Sequence, residues 1–118
     1  MFTGLLLRES LSDLDILQRM TITKTETWHV ANAAEFQPKV WTALSFEVSE
    51  TDAEVVIEEL SRVLKECWYI DARLDEWVIV IFPRRVFRYR RGDQADKTQA
   101  QAYALAAGVP SSQIDWGD

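Results

Sequence analysis

EWVIVIF, residues 76–82, decides the fold. Six apolar residues follow Glu76 without a polar interruption, and four of them are Val or Ile. A strand that faces solvent on one side alternates apolar and polar residues. An unbroken β-branched run predicts a strand covered on both faces, in the interior of a sheet. Pro83 ends it, since proline has no N–H for the ladder.

The neighbours of this run read outward from it. VFRYR (86–90) predicts a further strand after a tight turn at Pro83. WYIDA (68–72) predicts one before it. VWTALSFEV (40–48) alternates, with Val40, Leu44, Phe46 and Val48 on one face and Trp41, Ala43, Ser45 and Glu47 on the other. MTITKTETWHV (20–30) alternates as well. Thr21, Thr23, Thr25, Thr27 and His29 form one face, and Met20, Ile22, Trp28 and Val30 the other, which Lys24 and Glu26 interrupt. TGLLLRE (3–9) predicts the first strand, LSDLDIL a turn or short helical segment, and 31–39 a loop.

Two helices stand out. SETDAEVVIEELSRVLKE (49–66) carries Val56, Leu60, Val63 and Leu64 as an apolar stripe that Cys67 continues, with Thr51 and Glu54 in capping-box spacing. This places Cys67 on the buried side, as an inert core thiol. QADKTQAQAYALAA follows Asp93, a good N-cap, and stops at Gly108 with Pro110 just beyond. Ile114 and Trp116 of the tail are available to pack.

The resulting order, β-β-β-α-β-β-β-α, predicts one α+β domain over 1–118: an antiparallel sheet with both helices on one face. The βαββ unit between Trp41 and Phe82 gives a ferredoxin-like sandwich as the expected architecture.

Two helices on one face leave the other face of EWVIVIF uncovered. The chain has five tryptophans in 118 residues, and Trp28, Trp41 and Trp77 are candidates for an interface or pocket there. A homodimer is the expected cover, because two-fold dimers are the commonest oligomers. The alternatives are the 31–39 loop together with the tail, or a ligand.

FPRRVFRYRRGD (82–93) concentrates five arginines between Arg84 and Arg91. The net charge is −6, which leaves −11 elsewhere. Alternation sets Phe87 and Tyr89 on one strand face and Val86, Arg88 and Arg90 on the other. The arginines either balance nearby acids or, at Arg88 and Arg90, grip a small anion such as a phosphate or carboxylate. Nucleic acid is disfavoured: the aromatic residues lie on the opposite face from the arginines, and the rest of the chain repels polyanions. Arg91-Gly92-Asp93 reads as a strand end followed by a helix cap.

No catalytic group, metal site or cofactor motif is evident. His29 and Cys67 are the only residues of their kinds, and no paired His or Cys spacing exists. P-loop, Rossmann and nucleophile-elbow patterns are missing. No run approaches the ~20 apolar residues of a membrane span. MFTGLLLRES lacks the basic segment and long apolar stretch of a signal peptide, so a cytoplasmic protein is expected.

YALAAGVPSSQIDW, with WYIDA and VFRYRRGD upstream, resembles small bacterial proteins of about this length that end in a G-[IV]-P-x-x-Q-[LI]-D-[WF] pattern. The resemblance implies no activity and no site residues. The function expected from sequence is therefore a small non-catalytic binding or regulatory module acting as a homodimer. The alternative is a small enzyme or anion-binding protein with an Arg- and Trp-lined pocket on the second sheet face.

Overall fold

The computed structural model describes residues 1–117. The fold is α+β, with six antiparallel strands and two α-helices. The strands are β1 (Phe2–Leu7), β2 (Thr21–His29), β3 (Val40–Val48), β4 (Ile70–Leu74), β5 (Trp77–Phe82) and β6 (Arg85–Arg90). The helices are α1 (Glu50–Val63) and α2 (Gln94–Ala106). The strand order is β2-β3-β1-β4-β5-β6, so β1 lies between the two strands that α1 connects.

β5 is an interior strand, as its sequence predicts, and Val78 through Phe82 are fully buried. Its side chains alternate between two cores. Ile79 and Ile81 pack with Phe2, Leu6 and the α1 residues Ala53, Val56, Ile57 and Leu60. Val78, Val80 and Phe82 pack with Tyr89, the α2 residues Ala100 and Ala104, and Trp116. Since successive strand residues point to opposite faces, α1 and α2 cover opposite faces of the sheet. Neither the expected placement of both helices on one face nor the ferredoxin-like strand order forms. The physical reason lies in β5 itself: an all-apolar strand needs cover on both sides, and α2 supplies the second within the chain. Small Ala100 and Ala104 let that helix sit close to the strand.

The tail completes this second layer. Asp93 caps α2, its carboxylate accepting from Asp96 N–H at 3.1 Å. Gly108, at φ +91°, turns the chain out of the helix. Val109 N–H then bonds the Ala104 carbonyl at 3.1 Å, which closes a Schellman-type end. Trp116 is buried and donates its indole N–H to the Tyr89 hydroxyl at 2.7 Å.

Three local features differ from the sequence reading. The α1 N-cap is Ser49, not Thr51, with its hydroxyl 3.2 Å from the Asp52 carboxylate. α1 ends at Val63, because Leu64 leaves it to form a β-bridge with Leu11. Cys67 therefore lies beyond the helix, half-buried in a turn with φ +70°. In β2 the pairing register shifts between Ile22 and Lys24. Ile22 pairs with Phe46, whereas Lys24, Glu26 and Trp28 pair with Ser45, Ala43 and Trp41. The two charged residues that seemed to interrupt one face lie after a bulge, which moves them to the other.

Candidate functional site

α2 and the tail fill the second face over β5 and β6. Further along, over β1 and β3, the same face is concave. A cleft of about 400 Å³ lies there. Leu5 and Leu7 of β1 form its floor, Asp71 of β4 and Tyr69 flank it, and Trp28, Trp41 and Trp68 stand around it. Ser112, Gln113 and Asp115 of the tail make the remaining wall, and Cys67 also reaches it. The assignment to the α2 face follows from alternation: Asp71 pairs opposite Val80 of the α2-side core.

Each wall is held by specific contacts. Trp28 and Trp41 are directly opposite each other on β2 and β3. Trp41 is anchored by donation of its indole N–H to the Pro38 carbonyl at 2.7 Å. Its ring meets Trp68 nearly edge-to-face, with centroids 5.4 Å apart, and Trp68 meets Phe36 in the same way at 6.2 Å. The 31–39 loop and the tail are clasped by a reciprocal amide pair. Gln37 donates to Gln113 at 2.9 Å, and Gln113 donates back at 2.8 Å. Gln37 also accepts the Ala34 N–H at 3.0 Å, and so stays satisfied although buried.

Among the described residues, the charged side chains that line the cleft are Asp71 and Asp115, and no Lys or Arg does. Burial raises the Asp71 carboxyl above its usual range, and the charge of Asp115 adds to this, while nearby Arg73 pulls it down. The Arg73 guanidinium is 3.3 Å from Asp71 and also bonds the carbonyls of Ala72 and Gly117. The Tyr69 hydroxyl donates to the Gln113 carbonyl at 2.5 Å. Burial, then the Asp71 and Asp115 charges, push its pKa well above the ordinary phenol value. Its hydroxyl thus ties β4's leading segment to the tail as a hydrogen-bond donor.

The arginine run lies elsewhere. Alternation holds: Phe87 and Tyr89 join the α2-side core, while Arg88 and Arg90 point to the α1 side opposite Ile79 and Trp77. Arg88 forms a two-point pair with Glu54 of α1, both contacts at 2.7 Å, which holds the Glu54 carboxyl below its usual range. Arg90 bonds Glu76 at 2.6 Å and lies 5.0 Å over the Trp77 ring. Arg84 bonds Glu66 at 2.5 Å, and Arg85 lies 4.7 Å over Phe87. A groove between α1 and β6 is lined by Arg62, Arg84, Arg85 and Arg88 together with Glu54 and Glu58, so its charges are mixed.

Of the three tryptophans singled out from sequence, Trp28 and Trp41 meet at the cleft and Trp77 does not. Trp68, Tyr69, Asp71, Gln113 and Asp115 escaped that reading. Their common signal was position: each belongs to the predicted strand WYIDA (68–72) or to the tail. Among the described residues, no group of three or more His, Cys, Asp or Glu is placed to hold a metal ion. No helix among them is long and apolar enough to cross a membrane. Comparison with protein-family models, curated proteins and solved structures gives no match.

Proposed function

We propose that the protein is a small non-catalytic binding module whose site is the cleft on the α2 face. One observation carries this reading. A single sheet face is packed over β5 and β6 but left concave over β1 and β3, and aromatic rings stand around the concavity. Small-molecule sites are concave, mostly apolar and of roughly 300–1,000 Å³, with a few polar groups for orientation. Thermal melts with a panel of single-ring aromatic compounds test it. At least one compound should raise the melting temperature of the wild type and fail to do so for Trp28→Ala. A panel without effect, or one that stabilises both proteins equally, would remove the reading.

Self-association is the second reading, and a different observation favours it. β2 is an edge strand, and Trp28, Phe36 and Val40 are exposed near its end. An edge of this kind can pair with a second copy. The original ground for a homodimer, a bare face over β5, is met within the chain by α2 and the tail. Sedimentation at twice 13.6 kDa supports the edge-paired dimer, and a mass near 13.6 kDa removes it.

A further inference from the structure

The cleft combines three properties that together specify a kind of ligand. Its floor and aromatic walls are apolar, so the ligand must bring an apolar body. Every formally charged side chain that lines it is a carboxylate, at Asp71 and Asp115. A third property is the position of those carboxylates: they flank Tyr69, on the side of the cleft nearer β5, while Trp28 stands on β2. Apolar and acidic surface are thus divided between two sides of one space.

We propose that the cleft binds a small organic cation, an amine or quaternary ammonium compound with an apolar body. This inference rests on the cleft being the binding site and names the chemistry of its ligand. The ammonium group sits at the Asp71–Asp115 side and the body lies on Leu5 and Leu7 between the tryptophans. Aromatic faces attract such a cation in their own right, through the negative potential over the ring. The two carboxylates add a directional charge that a neutral ligand cannot use.

Arg73 sets the strength of this preference. Its guanidinium is 3.3 Å from Asp71 but is shared with the Ala72 and Gly117 carbonyls. It therefore offsets part, but not all, of the Asp71 charge. An anionic ligand meets the opposite situation. It would bury its charge beside two carboxylates, and no cation lines the cleft to receive it.

Calorimetric titration with three probes of one shape separates the outcomes: benzyltrimethylammonium, benzyl alcohol and phenylacetate. The wild type should bind the ammonium probe about tenfold or more tightly than the alcohol, and phenylacetate most weakly. Asp71→Asn/Asp115→Asn should remove most of that preference. Asp115→Asn alone, an exposed position, guards against a folding defect and should lose part of it. Equal binding of ammonium probe and alcohol, or a preference that survives the double variant, would overturn the cation assignment and leave the cleft as a site. If none of the three probes binds, the cation assignment fails. The cleft reading itself is lost only if the wider aromatic panel also leaves the wild type unmoved.

Discussion

Two halves of the same sheet face behave differently. Over β5 and β6 the face is sealed by α2 and Trp116, and Val78, Val80 and Phe82 are fully buried beneath them. Over β1 and β3 the face carries half-buried Leu5 and Leu7, and no helix covers it. The sealed half presents Val78, Val80 and Phe82, large apolar residues at every second position of β5. The open half alternates them with Thr, Ser and charged residues. α2 follows β6 directly through Gly92-Asp93, so it can fold back only over the strands nearest to it. The tail then turns at Gly108 and reaches the middle of the sheet, where it becomes a wall instead of a cover. Topology and composition thus agree on which half stays open.

The largest expected difference between the halves is in stability. Trp116→Ala removes a buried ring and its bond to Tyr89 from the sealed half, and should cost about 3–5 kcal/mol in chemical denaturation. Trp28→Ala, at the open half, should cost less than about 1 kcal/mol. Comparable costs would break the distinction.

Gly108 tests the join between them. An added Cβ would approach the Cys67 Sγ to 2.9 Å, at a φ of +91°. Gly108→Ala should cost about 1–3 kcal/mol, and less when measured in a Cys67→Ala background. An equal cost in both backgrounds would show that the close approach does not matter.

Asp71 supplies a pH-dependent test of the open half. Burial raises its folded pKa above the usual 3.8, so ionisation opposes folding. The penalty is absent where the group is protonated in both states, and it grows as pH rises through the folded value. Asp71→Asn should therefore melt higher than wild type at neutral pH, with the gap closing as pH falls through the carboxylate range. A gap of the opposite sign at neutral pH would mean that pairing with Arg73 outweighs burial.

The smallest effect belongs to the α1 side. Arg88→Gln breaks an exposed pair with Glu54 and should cost no more than about 1 kcal/mol. Glu54 is held low by Arg88, so this contribution is present above the usual carboxylate pKa and lost as pH falls through the folded value. Melts across the acid range check both the size and the direction.

The strands were legible from alternation or, for β5, from an unbroken apolar run, and β3 runs from Val40 to Val48 as the alternation predicts. The partition of the arginine strand was legible for the same reason. The side chosen by α2 was not, because a helix of Ala and Gln presents no strong stripe. It was implicit in β5, whose doubly apolar run required two covers from somewhere. Cys67 was misplaced because the helical stripe continues in sequence past Val63, while the Leu11–Leu64 bridge, a contact distant in sequence, ends the helix. The cleft was only partly legible. Trp28 and Trp41 share strand faces that pairing brings together, whereas Asp71 and Asp115 meet there through the path of the tail, which no local pattern encodes.

The indole N–H signals of the five tryptophans test the central claim most directly, since they report the open and sealed halves in one spectrum. On titration with benzyltrimethylammonium, the signals of Trp28, Trp41 and Trp68 should shift, while those of Trp77 and Trp116 stay in place. Shifts centred on Trp77 or Trp116, with the cleft tryptophans unmoved, would contradict the account.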